Sequence, residues 1–96
     1  MPTLGRKKII RQINHDHSQV CFKPCGTRRK DLDRIELECD EMEAIRLADY
    51  ENLYQQEAAK RMGISRTTFS RLLESARKKV ADALLHGKAL AIDTKF

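Results

Sequence analysis

Residues 55–74 read QQEAAKRMGISRTTFSRLLE, and two helical patterns meet at a glycine within them. Ala59 is small enough to let two helices cross closely. Gly63, four residues later, allows the chain to leave the first helix sharply. Ile64 is expected to fill the corner, and Ser65 is a favoured residue at the start of a helix. This spacing predicts a helix-turn-helix.

The helical pattern continues on both sides of this motif. The first of its two helices is predicted over about Gln55–Met62. The second begins after Ser65 and continues to about His86, because its apolar residues recur at i, i+3, i+4 and i+7. Before the motif, the spacing of Asp40 and Glu43 resembles a capping box and predicts a helix over about Glu41–Tyr50. Its expected core residues are Met42, Ile45 and Ala48, with Leu47 at the edge.

The strand signals are short and lie outside the helical region. Apolar and charged residues alternate over 34–39, which predicts a half-buried strand, and residues 89–92 are expected to pair with it. A further short strand is predicted over 8–13. The expected fold is mainly α with a small β component. It comprises a basic, partly extended and largely irregular N-terminal arm (1–33) and a three-helix helix-turn-helix domain (34–96).

Charge is distributed unevenly along a chain whose formal net charge is +5. Residues 1–30 carry eight Lys and Arg against one acid, residues 31–57 two against ten, and residues 58–96 nine against three. The folded protein should therefore present one acidic and one basic side. A basic surface favours a polyanionic partner such as nucleic acid, although composition alone fits an ordinary solvated surface equally well.

The second helix of the motif offers a polar face for reading DNA. If Phe69 points into the core, a step of about 100° per residue places Thr67 and Arg71 on the opposite side. Arg can donate two hydrogen bonds to guanine, and hydroxyl groups can donate or accept at several bases. The residues predicted to face bases are Arg66, Thr67, Thr68, Ser70 and Arg71.

Other polar residues suit the phosphate backbone. The first helix of such a motif crosses the DNA backbone, and basic arms commonly contact backbone or minor groove. The residues predicted to contact phosphate are Gln55, Gln56, Arg6, Lys7, Lys8 and Lys78.

Three strings carry a resemblance to a known family: FKPCG (22–26), DEMEAIRLADYENLYQQEAAKRMGISRTTFSRLLESARKKVADAL (40–84) and GKALAI (87–92). The chain resembles a family of small predicted helix-turn-helix DNA-binding proteins of bacteria and archaea. The motif itself is similar to the fourth region of bacterial sigma factors. The resemblance implies DNA binding and a regulatory role. Cys25 stands where that family commonly has Ala, so it is not expected to be a functional residue of the whole family.

Metal binding and catalysis are the less favoured interpretations. His15, His17, Cys21 and Cys25 are possible zinc ligands, but their spacing does not match the usual paired pattern. We therefore expect no metal, and chelators should leave the fold intact. The acids of residues 31–57 lack a base and nucleophile arrangement, and no glycine-rich phosphate loop is present. Neither an enzyme nor a cofactor is expected.

The expected partner is double-stranded DNA, bound by a homodimer. A single small module gives limited contact area, and surplus apolar residues after the motif offer a subunit contact. Those residues are Val80, Ala83, Leu84, Leu85, Leu90 and Ile92. The alternative is that the N-terminal strand region covers them within one chain.

Two other functions are open to this sequence. One is an interaction module whose acidic first helix contacts another protein, such as the transcription machinery. The other is RNA binding, which two Tyr, three Phe and no Trp make less favourable because few rings can stack on bases. We expect a cytoplasmic protein with no membrane contact. The N-terminus shows no secretory signal, no apolar run approaches a membrane span, and the three cysteines do not indicate a disulfide framework.

Overall fold

The structure, a computed structural model, describes residues 19–27 and 32–93. In this part the chain is mostly helical with one small sheet, as the sequence predicts. In chain order the elements are β1 (Gln19–Phe22), β2 (Arg34–Leu37), α1 (Cys39–Ile45) followed by a π-helical turn (Arg46–Tyr50), α2 (Gln55–Met62), α3 (Arg66–His86) and β3 (Ala89–Asp93).

The sheet has the order β1-β3-β2, with β3 antiparallel to β1 and parallel to β2. Ile92 lies opposite Val20 on one side and opposite Leu37 on the other. The predicted pairing of the C-terminal strand with the strand near residue 34 is confirmed. β1 is an addition, because it falls within the segment 1–33 that the sequence predicts to be largely irregular. Four residues reading QVCF are too few to show a clear period of two.

The start of α1 differs from the prediction. Glu38, not Asp40, precedes the helix, and its backbone N–H donates to Glu41 Oε1 at 2.9 Å. The capping pair is therefore Glu38 and Glu41, two residues before the predicted pair of Asp40 and Glu43. Both pairs have the same spacing. Ser75 and Lys79 of α3 also bind the Glu41 carboxylate, which favours the earlier register.

The core side of this first helical segment is also shifted. Ala44 and Leu47 are fully buried, whereas the predicted Met42, Ile45 and Ala48 are half-buried at the rim. Leu47 lies in the π-helical turn, where the number of residues per turn is larger than in an α-helix. Met42, Ala44 and Ile45 precede that turn, so the prediction was wrong in which side of α1 faces the core, and the wider turn affects only the residues after Ile45.

The segment from α2 to α3 follows the predicted bounds closely. Gly63 ends α2 with φ of 72°, and Ile64 N–H donates to the carbonyl of Ala59 at 3.0 Å. Ser65 caps α3 by accepting from Thr68 N–H at 3.1 Å. Three residues, Gly63 to Ser65, separate the two helices. They pack around one core cluster, whose buried members are Ala44, Leu47, Ala58, Ala59, Phe69 and Leu73.

Gly63→Val is expected to lower the free energy of unfolding by about 1–2 kcal/mol, because a side chain with a Cβ is disfavoured in the left-handed region. A Cβ at this position meets nothing within 4 Å, so the cost is conformational rather than steric. Thermal melting measures the effect. Gly63→Asn is the matched control and should retain most of the stability, because Asn tolerates this backbone conformation. Equal melting temperatures for the two variants would contradict the proposed role of Gly63.

A second small cluster joins the sheet to α3. Leu37 of β2, Ala76 of α3 and Ile92 of β3 are buried together, so the sheet lies against the middle of the long helix. The opposite side of α3 is thereby left to solvent. Among the helices that the structure describes, none has the length and apolar content needed to cross a bilayer.

Candidate nucleic-acid interface

The outward side of α3 is the most distinctive polar surface of the described part. Phe69, Leu73 and Ala76 hold the inner side of the helix in the core. The five residues predicted to face bases are all exposed: Arg66, Thr67, Thr68, Ser70 and Arg71. With Phe69 at 0°, Thr67 and Arg71 lie at about 160° and 200°, nearest the centre of the outward side, while Ser70 and Thr68 flank them at about 100° and 260°.

Thr68 has a second role within this group. Its backbone N–H donates to Ser65 Oγ, and its own hydroxyl accepts from Ser65 Oγ at 2.9 Å. The Thr68 hydroxyl therefore belongs to the cap of α3, at the margin of the outward side. Thr67, Ser70 and Arg71 take no part in that cap.

An open groove lies beside the start of α3. Gln56, Ala59 and Lys60 of α2 line it together with Ile64 and Arg66. The structure thus places Gln56, predicted to contact phosphate, and Arg66, predicted to face bases, on one groove, a proximity that their separate predictions did not include. It adds Lys60, which the sequence analysis missed. The available signal was its position four residues after Gln56, which puts both on one side of a helix.

The backbone N–H groups at the start of α2 are a second feature that can bind a ligand. Tyr54 precedes the helix and makes no side-chain hydrogen bond to its first turn, so those N–H groups are not capped. Uncapped N–H groups at a helix start can bind phosphate oxygens. Gln56 is exposed here, whereas Gln55 is half-buried and does not line the groove. Of the two predicted phosphate contacts on α2, Gln56 is therefore the better placed.

The described cations fall into two groups. Several are paired with acids of the same chain: Arg46 with Glu43, Arg61 with Glu57, Arg77 with Asp49, Lys79 with Glu41 and Lys88 with Asp82. Among residues 19–27 and 32–93, five cations make no such pair: Lys23, Lys60, Arg66, Arg71 and Lys78. Lys23 donates to the carbonyl of Thr27, and the other four lie in the groove or on α3, where an anionic partner can meet them.

Two of these ion pairs are reflected in the pKa of one partner, Glu43 in the first and Arg77 in the second. The Arg46 guanidinium hydrogen-bonded to Glu43 holds the pKa of that carboxyl below its ordinary value. Asp49 in turn raises the pKa of Arg77. Several acids of the segment 31–57 therefore form ion pairs with Lys or Arg side chains of the same chain.

Glu41 departs from the expectation that these acids form a solvated surface. It is only 4% exposed, and Lys79 Nζ lies 2.8 Å from Oε1 while Ser75 Oγ donates to Oε2 at 2.6 Å. Burial raises the pKa of Glu41, but the hydrogen bonds from Lys79, Ser75 and the Glu38 backbone outweigh it and hold the pKa below 4.5. Glu41 therefore joins α1 to α3 and fixes how the outward side of α3 is presented.

Two sets of predicted residues lie wholly or partly outside the described residues. Cys21 is half-buried, Cys25 is exposed and both are free thiols. Within the described ranges no three His, Cys, Asp or Glu side chains are grouped to hold a metal. The prediction that chelators leave the fold intact stays a prediction. Residues outside the described ranges include the strand predicted over 8–13, His15 and His17, and the expected phosphate contacts Arg6, Lys7 and Lys8.

The surface predicted for dimer formation is smaller than expected. Ala83 and Ile92 are buried within the chain, and Val80 and Leu90 are half-buried. Sheet packing against α3 accounts for this covering, at least around Ile92. What remains is a pair of leucines near the end of α3, which are largely exposed: Leu84 at 79% and Leu85 at 77%.

Comparison with known sequences places the chain among proteins of bacteria and archaea. Residues 1–95 match the family described as "Protein of unknown function DUF134". A UPF0251 protein of Prosthecochloris aestuarii is 49% identical over 89 residues, covering 93% of this chain and 57% of the relative. A UPF0251 protein of Methanococcus maripaludis is 50% identical over 88 residues, covering 92% and 67%.

A relative of similar length occurs in Vibrio cholerae, where a UPF0251 protein is 48% identical over 95 residues, covering 96% of this chain and 97% of the relative. The chain thus spans little more than half of the Prosthecochloris protein but nearly all of the Vibrio protein. No solved structure matches the chain.

Proposed function

Since this chain belongs to the DUF134 family, whose function is unknown, we propose its function from its own surface: it binds double-stranded DNA sequence-specifically and regulates transcription. One observation carries the proposal. The exposed outward side of α3 holds hydroxyl groups and unpaired arginines, and it adjoins a groove that holds two further unpaired polar groups, Lys60 and Gln56.

The proposed binding mode is that of a helix-turn-helix. α3 enters the major groove, which is wide enough for one helix, while α2 crosses the backbone. Arg71 donates to a guanine edge, and Thr67 and Ser70 contact neighbouring bases. Arg66 is placed to contact either a base or a phosphate, because it lies on the first turn of α3 and also lines the groove.

Phosphate contacts supply the rest of the binding energy. Gln56 and Lys60 hold a phosphate in the groove, and Lys78 reaches the backbone farther along α3. Arg6, Lys7 and Lys8 add further contacts from the N-terminal segment. Such contacts position the protein without reading sequence, and they make binding depend on salt.

Selection from a random pool of duplexes tests this function directly. We expect the full chain to enrich a defined sequence and to bind it more tightly than a random duplex of equal length. A sequence-specific binder of this size typically shows a ratio of about 1,000 or more. Enrichment of no sequence, together with equal affinity for both duplexes, would refute sequence-specific binding.

Arg71→Ala is expected to weaken binding to the selected duplex about tenfold and to relax the base preference at one position. Binding to a random duplex should change little, because base contacts carry the specificity. Arg61→Ala is the matched control, since Arg61 pairs with Glu57 at 3.4 Å and lies on α2. Fluorescence anisotropy measures both variants. If Arg71→Ala and Arg61→Ala behave alike, Arg71 does not read bases.

The protein is further proposed to act as a homodimer, with Leu84 and Leu85 at the subunit contact. Two copies would bind half-sites about one helical turn apart. Sedimentation at micromolar concentration should therefore give a dimer, and Leu84→Glu with Leu85→Glu should give a monomer that still folds, because both side chains are exposed. A parent protein that sediments as a monomer with and without DNA, and selects an unrepeated site, excludes this arrangement.

A protein-interaction module is the second candidate function. Tyr50 and Tyr54 are 80% and 87% exposed at the two ends of the connection before α2. Aromatic residues are enriched at protein interfaces, and these two adjoin the acidic first helical segment. The two candidates are separated by Arg71→Ala, which should weaken binding to the selected duplex about tenfold but leave binding to a protein partner intact.

A further inference from the structure

The first half of the outward side of α3, which carries the residues predicted to face bases, also holds an acid, Glu74. It is exposed, and it follows Thr67, Ser70 and Arg71 at the spacing i, i+3, i+4, i+7. On the scale that places Phe69 at 0°, Glu74 lies at about 140°, between Ser70 and Arg71. It is therefore central to the surface that is otherwise made of hydroxyl groups and cations.

This spacing fits a single groove of DNA. From Thr67 to Glu74 the helix rises about 10 Å, while the major groove is about 12 Å wide. In homeodomains, one class of helix-turn-helix protein, the residues of the recognition helix that reach base edges have this spacing of i, i+3, i+4 and i+7. Glu74 lies at the last of these positions, ahead of Lys78 by one turn.

Glu74 has no structural role in the described part of the chain. In the described part of the chain its carboxylate accepts no hydrogen bond and joins no ion pair, although Arg71 is only three residues away on the same side. The other exposed glutamates of the helices differ in this respect, since Glu43 pairs with Arg46 and Glu57 with Arg61. Glu74 and Arg71 are thus both free to meet a ligand separately.

A carboxylate on this surface lowers affinity for DNA in general, because it faces a polyanion. It has one favourable role in the major groove, which is to accept a hydrogen bond from the N4 amino group of cytosine. We propose that Glu74 is a specificity-determining residue that selects cytosine and disfavours unmatched sequences. This inference rests on the proposed function and goes beyond it, since it assigns a base preference to a residue whose charge weakens the electrostatic attraction to DNA of any sequence.

The two effects predict responses of opposite sign. Glu74→Ala should bind a random duplex several-fold more tightly than the parent, because one negative charge is lost. The same variant should bind the selected duplex less selectively, with the ratio of the two affinities falling about tenfold. A residue with a merely structural role would weaken both duplexes together.

The base preference gives a sharper test. Selection from a random duplex pool with the parent chain should yield cytosine at one position, and with Glu74→Gln it should yield adenine there, because Gln can bond both N6 and N7 of adenine. Asp40→Asn is the charge-matched control, since Asp40 is an exposed acid on α1. It should leave the selected sequence unchanged. Circular dichroism confirms that each variant is folded.

The outcomes separate this inference from the function on which it rests. If the parent enriches no sequence, the proposed function fails and the role of Glu74 fails with it. If the parent enriches a sequence but both Glu74 variants enrich the same one with an unchanged affinity ratio, the DNA-binding function stands and the role of Glu74 is refuted. A switch from cytosine to adenine confined to Glu74→Gln supports it.

Discussion

Glu41→Gln is expected to lower the free energy of unfolding by about 2–4 kcal/mol. Removing one partner of a buried ion pair typically costs about 3–5 kcal/mol, and we place this pair lower because Lys79 keeps 31% of its side-chain exposure. The variant also weakens the link from α1 to Ser75 of α3. Urea denaturation followed by circular dichroism measures the change.

The free energy of unfolding should also depend on pH through the carboxyl group of Glu41. The pKa of Glu41 is lower in the folded protein than its ordinary value of 4.5, so the unfolded chain binds the proton more tightly. Its contribution to stability is complete above pH 4.5 and is lost as the pH falls through the pKa of the folded state. Glu43 adds to the same dependence in the same direction.

Glu43→Gln provides the matched control for Glu41. Glu43 lies in the same helix and pairs with Arg46 at 2.7 Å, but both side chains are substantially exposed, 33% and 48%. An exposed pair contributes about 0–1 kcal/mol. Equal losses for the two variants, or a Glu41→Gln protein with unchanged acid sensitivity, would show that Glu41 does not join α1 to α3 as described.

Lys60→Ala combined with Arg66→Ala is expected to weaken DNA binding about 30-fold at physiological salt. Two lost phosphate contacts, one from each residue, account for this loss through counterion release. The slope of log affinity against log salt should fall by about 2. Fluorescence anisotropy at several salt concentrations gives both quantities.

The chain offers a control with the same change in charge on the same two helices. Arg61→Ala with Arg77→Ala removes one cation from α2 and one from α3, but these two are paired with Glu57 and Asp49. Because each substitution leaves an unpaired acid behind, the electrostatic attraction to DNA of any sequence should weaken slightly. The slope of log affinity against log salt should hardly change. Salt slopes that fall equally in both double variants would exclude the groove as a phosphate site.

The segment from α2 to α3 was predictable because its signals are local. Gly63 and Ser65 act on backbone within a few residues, and an apolar period of 3.6 needs no distant partner to be recognised. The exposed residues of α3 follow directly from that period once Phe69 is assigned to the core. For this reason the bounds of both helices and the outward position of Arg71 agree with the sequence-based expectation.

The remaining features depend on partners far along the chain. Glu41 is distinguished from other acids by Ser75 and Lys79, which lie 34 and 38 residues away in sequence. β1 is recognisable as a strand only through its pairing with β3. No single-sequence periodicity contains these relations, since each is created by packing.

The central position of β3 has a consequence for the newly made chain. β1 and β2 both pair with β3 in the described sheet, yet β3 follows all three helices in sequence. At about 5–20 residues per second, synthesis from Phe22 to Ala89 takes on the order of several seconds. During that interval the nascent chain carries two strand segments without the partner they have in the finished sheet, and exposed strand edges are prone to association. Chaperones at the ribosome therefore encounter the chain before its sheet has formed.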